Sequence, residues 1–429
     1  MIRKNILKLV TAAMILLALL SGGCNEEGNV TITLPPDFQR PPEPVPEKFL
    51  IDVYWDATYS MQGYTTLDAG NVYRTLPDIL GDIGSSMGEV KFYRFGENIQ
   101  PLEGREYRKF SSPAPYDELI TAVHNVIDKA DSSHLSIIIT DLFESDSDWS
   151  NVTRKLRDKY FSKHLAVAVI GIKSSFNGDI FDVGLNAAKF NYNSYDDPAR
   201  FRPFYLILMG SEMSINEFME KFQERQTLPN ETNYLLLSEN LTESTDDFSQ
   251  LKLQGVENFF ADDRLNISDK RVKEFGLDSF NDAATFTVNF EYKQPLGACL
   301  PDMTALNSQV RILYLNEQEW QVKDGNDIKI ELLPVEADSY AAKVTLTPEK
   351  TFVRGAINFV QASLSPTSKG YKLPEWVAAW SMANVDVAPE NFDGSKTVNL
   401  IHVLGSLKDS VFATAHPALL NINFIVDNR

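Results

Sequence analysis

Three regimes of hydrophobic patterning divide the chain. Residues 9–20 are an unbroken apolar run, LVTAAMILLALL, behind a basic start, MIRKNILK. From residue 49 the pattern changes to short buried-strand runs separated by helical spacing. Residues 49–55, 88–96, 135–141, 165–172 and 203–210 read as strands, and 67–86, 116–129 and 149–161 as helices. Strands alternating with helices predict a mainly parallel α/β sheet. From about residue 284 the period shortens to two, in runs at 284–292, 310–314, 328–333, 340–346, 356–362 and 420–426. Broken by polar, Gly- and Pro-containing stretches, these predict an antiparallel β-sandwich, with one helix near 397–404 before the last strand.

The apolar run of twelve is too short to span a bilayer as a permanent helix. With its charged flank and the small residues Ser21-Gly22-Gly23 it reads as a secretion signal. A cut before Cys24 resembles the lipobox of bacterial lipoproteins, with Ser21 where Leu is usual and Leu20 one place further back. That resemblance implies acylation of Cys24 and a membrane anchor without a spanning helix. Asn25-Glu26-Glu27 resembles the acidic export tag of surface lipoproteins in the Bacteroidota, which points to the outer membrane and its outer face. Pro35, Pro36, Pro41, Pro42, Pro44 and Pro46 then predict an extended, semi-rigid spacer holding the first domain off the membrane. The expected organisation is a signal at 1–23, a tether at 24–48, an α/β domain at 49–245, a connector at 246–283 and the sandwich at 284–429.

The chemistry gathers behind the first strand. Asp56-Ala57-Thr58-Tyr59-Ser60-Met61-Gln62-Gly63 follows the buried run 49–55, and Thr140-Asp141 ends the run 135–141. Alternate residues of an extended loop point the same way, so Asp56, Thr58 and Ser60 can offer three oxygens to one point. A hard divalent cation takes about six oxygen ligands. The first segment resembles the D-x-[ST]-x-S-M-x-G loop of von Willebrand factor A domains, and Thr140-Asp141 resembles their later T-D-G motif, with Leu142 in place of Gly. The resemblance covers roughly residues 49–240. It implies a doubly wound fold with a metal-ion-dependent adhesion site for Mg²⁺, or Mn²⁺ or Ca²⁺. Asp56, Thr58 and Ser60 would then be ligands, Asp141 a second carboxylate acting through water, and the partner a protein offering a carboxylate. The family's Gly-Thr pair is missing before the third helix. Ser112, or Ser111, is the expected substitute there, because Thr121 falls inside the predicted helix.

Composition narrows the functions. Acidic residues outnumber basic ones 59 to 40, a net charge of −19, which argues against nucleic acid and anionic lipid headgroups as partners. With Cys24 acylated, Cys299 has no partner, so no disulfide framework is expected; a buried thiol is the simplest reading of it. His124, His134, His164, His402 and His416 form no metalloprotease spacing, and nucleophile-elbow, P-loop and dinucleotide motifs are missing from the sequence. His402 reads as a core side chain. The aromatic insertion 173–202 reads as packing against the second domain rather than as an exposed binding surface. The leading expectation is a non-enzymatic, cation-dependent protein-binding module. The alternatives are a scaffold with a degenerate metal site and a phosphoryl-transfer enzyme. For the enzyme, Asp52 and Asp56 resemble paired catalytic carboxylates but stand four residues apart instead of two.

Overall fold

The computed structural model describes residues 30–36, 38, 48–67, 71–142, 146–183, 188–225, 231–239, 251–262, 264–267, 269–325, 327–336, 339–367, 370–383, 392–413 and 417–429. The expected signal and Cys24 lie outside the described residues.

The fold is mixed α/β, with strands dominating. In the first half the strands are β1 (Phe49–Asp56), β2 (Gly88–Phe95), β3 (Ile99–Leu102), β4 (Leu135–Thr140), β5 (Ala166–Ser174), β6 (Asn177–Val183), β7 (Ala188–Asn193), β8 (Arg202–Gly210) and β9 (Thr232–Leu237). Seven of them form one sheet in the order β9-β5-β8-β4-β1-β2-β3, and β6 pairs with β7 as a separate hairpin. Helices cover both faces. On one side α1 (Leu76–Met87) and α4 (Glu212–Arg225) pack over Ile51, Val53 and Trp55. On the other, α2 (Val123–Lys129) and α3 (Asp146–Lys159) pack over Tyr54 and Ile138. The central strands are therefore buried on both faces, which is why they read as continuous apolar runs rather than alternating ones.

The expected mainly parallel sheet is corrected. Only β1–β2 and β1–β4 are parallel; β2–β3, β4–β8, β8–β5 and β5–β9 are antiparallel. A parallel return needs a crossover, usually helical. Between β5 and β8 the chain instead carries the β6–β7 hairpin, so β8 comes back antiparallel and slots between β4 and β5.

Two of the expected helices are shorter than their hydrophobic spacing suggested. The first starts at Leu76 instead of 67, with Pro77 in its opening turn, where a missing N–H costs nothing. The second starts at Val123 instead of 116. Its expected first turn is committed elsewhere: Glu118 N donates to Ala57 O (3.1 Å), Tyr59 N donates to Glu118 O (3.1 Å), and Tyr116 Oη donates to Phe110 O (2.8 Å). Helix α4, not among the expected helices, follows β8 directly.

The second half is a β-sandwich. One sheet contains β10 (Lys252–Glu257), β13 (Ala284–Glu291), β17 (Ser339–Leu346) and β16 (Lys329–Glu336). The other runs β11 (Phe259–Ala261), β12 (Val272–Leu277), β19 (Leu420–Asp427), β18 (Ile357–Pro366), β14 (Leu306–Asn316), β15 (Glu319–Val322). Phe259, Phe275, Phe286 and Phe424 fill the space between them, with Phe286 edge-on to Phe424 at 5.5 Å. All six expected strands are present. The antiparallel pattern is broken by one parallel pair, β12 with β19.

The sandwich is interrupted between β18 and β19 by α5 (Glu375–Ala379) and α6 (Leu400–Phe412), which pack on the α/β sheet. Val377, Trp380, Leu404 and Leu407 share a core with Val167 and Val169 of β5. The aromatic insertion also packs inward: Phe190 stacks on Phe392 at 4.5 Å, and Phe176 is buried against Tyr64. Cys299 is buried, and burial pushes its thiol up to about 12. His402, expected in the core, is exposed on α6.

The tether expectation is corrected where it is described. Residues 30–36 and 38 lie against the sandwich. Val30–Thr31 pairs in parallel with Leu265–Asn266, and Ile32, Leu34 and Phe38 are buried while Thr31 and Thr33 are exposed. This period-two alternation is a strand signal, which the prolines at 35 and 36 end.

Candidate functional site

The carboxyl end of β1 delivers Asp56 into a pocket of hydroxyls. Asp56 is fully buried, so each carboxylate oxygen needs donors from the protein. Thr58 supplies two to Oδ1, from its backbone N (3.0 Å) and its Oγ1 (2.7 Å). Oδ2 accepts from Thr140 Oγ1 (3.0 Å) at the tip of β4 and from Thr121 Oγ1 (3.2 Å). Thr58 Oγ1 lies 3.0 Å from Ser60 Oγ and 3.2 Å from Thr121 Oγ1. Oxygens from three chain segments thus meet at one end of the sheet. Ligands of α/β sheets sit at the carboxyl ends of strands.

Asp141 follows Thr140 and is equally buried. Burial and the negative charge of Asp141 push the Asp56 carboxyl up to about 7, against the opposing pull of the hydrogen bonds from Thr58 and Thr140. Two carboxyl groups in one buried cluster resist being charged together; a cation between them relieves that. Part of the counter-charge is built in. Arg202, at the start of β8 and buried, holds Nη2 3.8 Å from Asp141 Oδ2, while its Nη1 donates to Gly394 O (3.2 Å) and Lys396 O (3.4 Å).

The donor set fits a small hard cation. Mg–O bonds of 2.0–2.1 Å put neighbouring corners of an octahedron about 2.8–3.0 Å apart. The Thr58–Ser60 and Thr58–Thr121 hydroxyl separations are close to that edge. Among the described residues no group of three or more His, Cys, Asp or Glu could hold a metal, so a cation here would depend on hydroxyls and two carboxylates.

Of the sequence-derived site residues, Asp56, Thr58 and Ser60 come together in one hydrogen-bonded cluster, while Asp141 acts on Asp56 through its charge and pairs with Arg202. Ser112 does not: its Oγ donates to Lys109 O (2.7 Å), closing a local turn. Thr121 takes the place expected of Ser112. The sequence places it inside a helix, but the late start of α2 leaves residues 117–121 as a strand-like loop bridged to Thr58. Thr140 and Arg202 are functional residues that the spacing does not predict; the one sequence signal for Arg202 is a charge at the mouth of an otherwise apolar strand. Asp52 sits four residues before Asp56 on β1 and is hydrogen-bonded to His134 Nδ1 at 2.7 Å. About 13 Å of strand separates the two carboxylates, so they do not share a reaction centre.

The buried oxygens are framed by apolar surface. Leu119 is 85% exposed, Ile120 57% and Tyr59 43%, all on the two loops that build the cluster. No family model matches the chain, and no curated protein matches it.

Proposed function

We propose that this chain is a lipid-anchored cell-envelope protein whose α/β half, of the von Willebrand factor A type, captures a carboxylate on a protein partner through a divalent cation. Asp56, Thr58, Ser60 and Thr121 would hold the ion, with Asp141 behind them. The cation would supply a positive charge that its neutral hydroxyl ligands leave under-compensated, so it would attract a further carboxylate. Arg202 adds a fixed positive charge behind Asp141, making the same end of the sheet still more receptive to an anion. The exposed Leu119, Ile120 and Tyr59 would contact apolar side chains flanking the partner's acid, a pairing of desolvated anchor and charge common at interfaces.

The observation that carries this reading is the meeting of the 56–60 loop, Thr121 and the tip of β4 around one buried carboxylate. Thr121 before α2 supports the reading, since the family's pattern has a Thr before its third helix. The inserted antiparallel β8 is the main departure from that family's sheet. Arg202 also supports the competing reading, a scaffold in which the guanidinium replaces the metal. The two separate in one experiment: capture of envelope proteins by the purified chain with Mg²⁺, with chelator, and with Asp56→Ala. Cation-dependent capture lost in Asp56→Ala is the expected result. Capture indifferent to chelator and to the substitution would favour the scaffold.

A further inference from the structure

The outer face of the six-stranded sheet changes character along its strands. In register across β14, β18 and β19, one row reads Leu313–Phe359–Ile425, the next Arg311–Gln361–Asn423, and the next Gln309–Ser363–Asn421. The apolar row lies beneath residues 30–38 and the polar rows lie beyond them. Segment and sheet are thus matched. Trp320 Nε1 donates to Thr33 O (2.8 Å). Arg271 donates to Phe38 O (3.2 Å) and sets its guanidinium 4.4 Å from the Phe38 ring centre, while Phe38 stands edge-on to Phe359 at 5.1 Å. A spacer that only needed length would require none of these contacts.

We infer that residues 30–38 are a strap that seats the β-sandwich, not the α/β half, against the lipid surface. This rests on the anchor at Cys24. From Cys24 to Val30 there are six residue steps, which span at most about 20 Å when fully extended. The strap is spent on the sandwich before the chain reaches β1 at Phe49. The α/β half is therefore joined to the bilayer only through the sandwich, although it comes first in the sequence. The arrangement needs no electrostatic attraction to lipid, which suits a chain of net charge −19.

The test uses the full acylated protein in phosphatidylcholine vesicles carrying a headgroup quencher. Cys299 is buried, so a thiol-reactive fluorophore reports single introduced cysteines. Asn316→Cys places it on the sandwich, at the end of the strand whose Leu313 and Leu315 lie under the strap; Glu103→Cys places it on the exposed rim of the α/β half. Quenching severalfold stronger at position 316 is expected, and the difference should shrink when Phe38→Ala and Trp320→Ala release the strap. Equal quenching, or stronger quenching at 103, in protein whose mass shows an acylated Cys24 overturns the strap. A Cys24 without acyl chains removes the anchor and this inference with it, and the mass alone distinguishes that case.

Discussion

Asp56 accepts hydrogen bonds on both carboxylate oxygens from four donors, and three of those donors are side-chain hydroxyls that a hydrophobic substitution can remove singly. Thr121→Val deletes one proposed ligand hydroxyl while keeping shape, so Mn²⁺ affinity should fall about tenfold, roughly 1.4 kcal/mol. Ser112→Ala should leave it unchanged. Titration calorimetry on the two variants decides between the position the structure indicates and the one the sequence suggested. A second residue-scale expectation concerns Glu274. Its carboxylate is buried, accepts Leu265 N at 3.0 and 3.2 Å, and lies near Asp262 and Asp427; burial above all pushes it up to about 7. An unfolded Glu titrates near 4.3, so between those values the folded chain holds the extra proton and this group favours folding. That contribution is full at acid pH and lost as pH rises through about 7. Glu274→Gln keeps an acceptor for Leu265 and removes the charge. It should raise the melting temperature at pH 8 and change it little at pH 5; equal effects at both would show that the proton is not involved.

At the scale of elements, packing overrode local signals in an instructive way. The buried strands β1, β4, β5 and β8 were legible because burial on both faces leaves a continuous apolar run. The loop 117–121 was not, because its conformation is set by hydrogen bonds to residues 57–59, sixty positions away in sequence. That non-local pairing hid Thr121, and with it the completed cluster. The strap was hidden for the opposite reason: its alternation is local, but prolines flanking it suggested a spacer. Strand order was also beyond reach, since nothing in residues 203–210 says that β8 lies between β4 and β5. The strap carries its own expectation. Phe38→Ala opens space under a buried ring, and such changes cost about 3–5 kcal/mol when the site cannot collapse. At this partly rimmed position a loss nearer the low end is expected in chemical denaturation, together with faster proteolysis near residue 38. An unaltered midpoint would mean that the strap contributes nothing to the sandwich.

For the whole molecule, α5 and α6 fold back from the sandwich onto the α/β sheet, and the strap closes on the six-stranded sheet of the sandwich. Each half is thus held by a segment distant in sequence, so unfolding is expected to be cooperative across both. The loops at the carboxyl end of the sheet keep Leu119, Ile120 and Tyr59 in solvent while the oxygens behind them are buried. Leu119→Ser with Ile120→Ser should weaken capture of a protein partner without changing cation affinity, which separates the apolar rim from the ion; a parallel loss of cation binding would show that the rim supports the cluster instead. The central claim is that the cluster around Asp56 holds a divalent ion, and Mn²⁺ titration of the purified chain, read by calorimetry against Asp56→Ala, tests it most directly. A single saturable site that disappears in Asp56→Ala, with the circular dichroism spectrum retained, is the expected result. Saturable binding of equal strength in both proteins, or none in either at millimolar Mn²⁺, would contradict it.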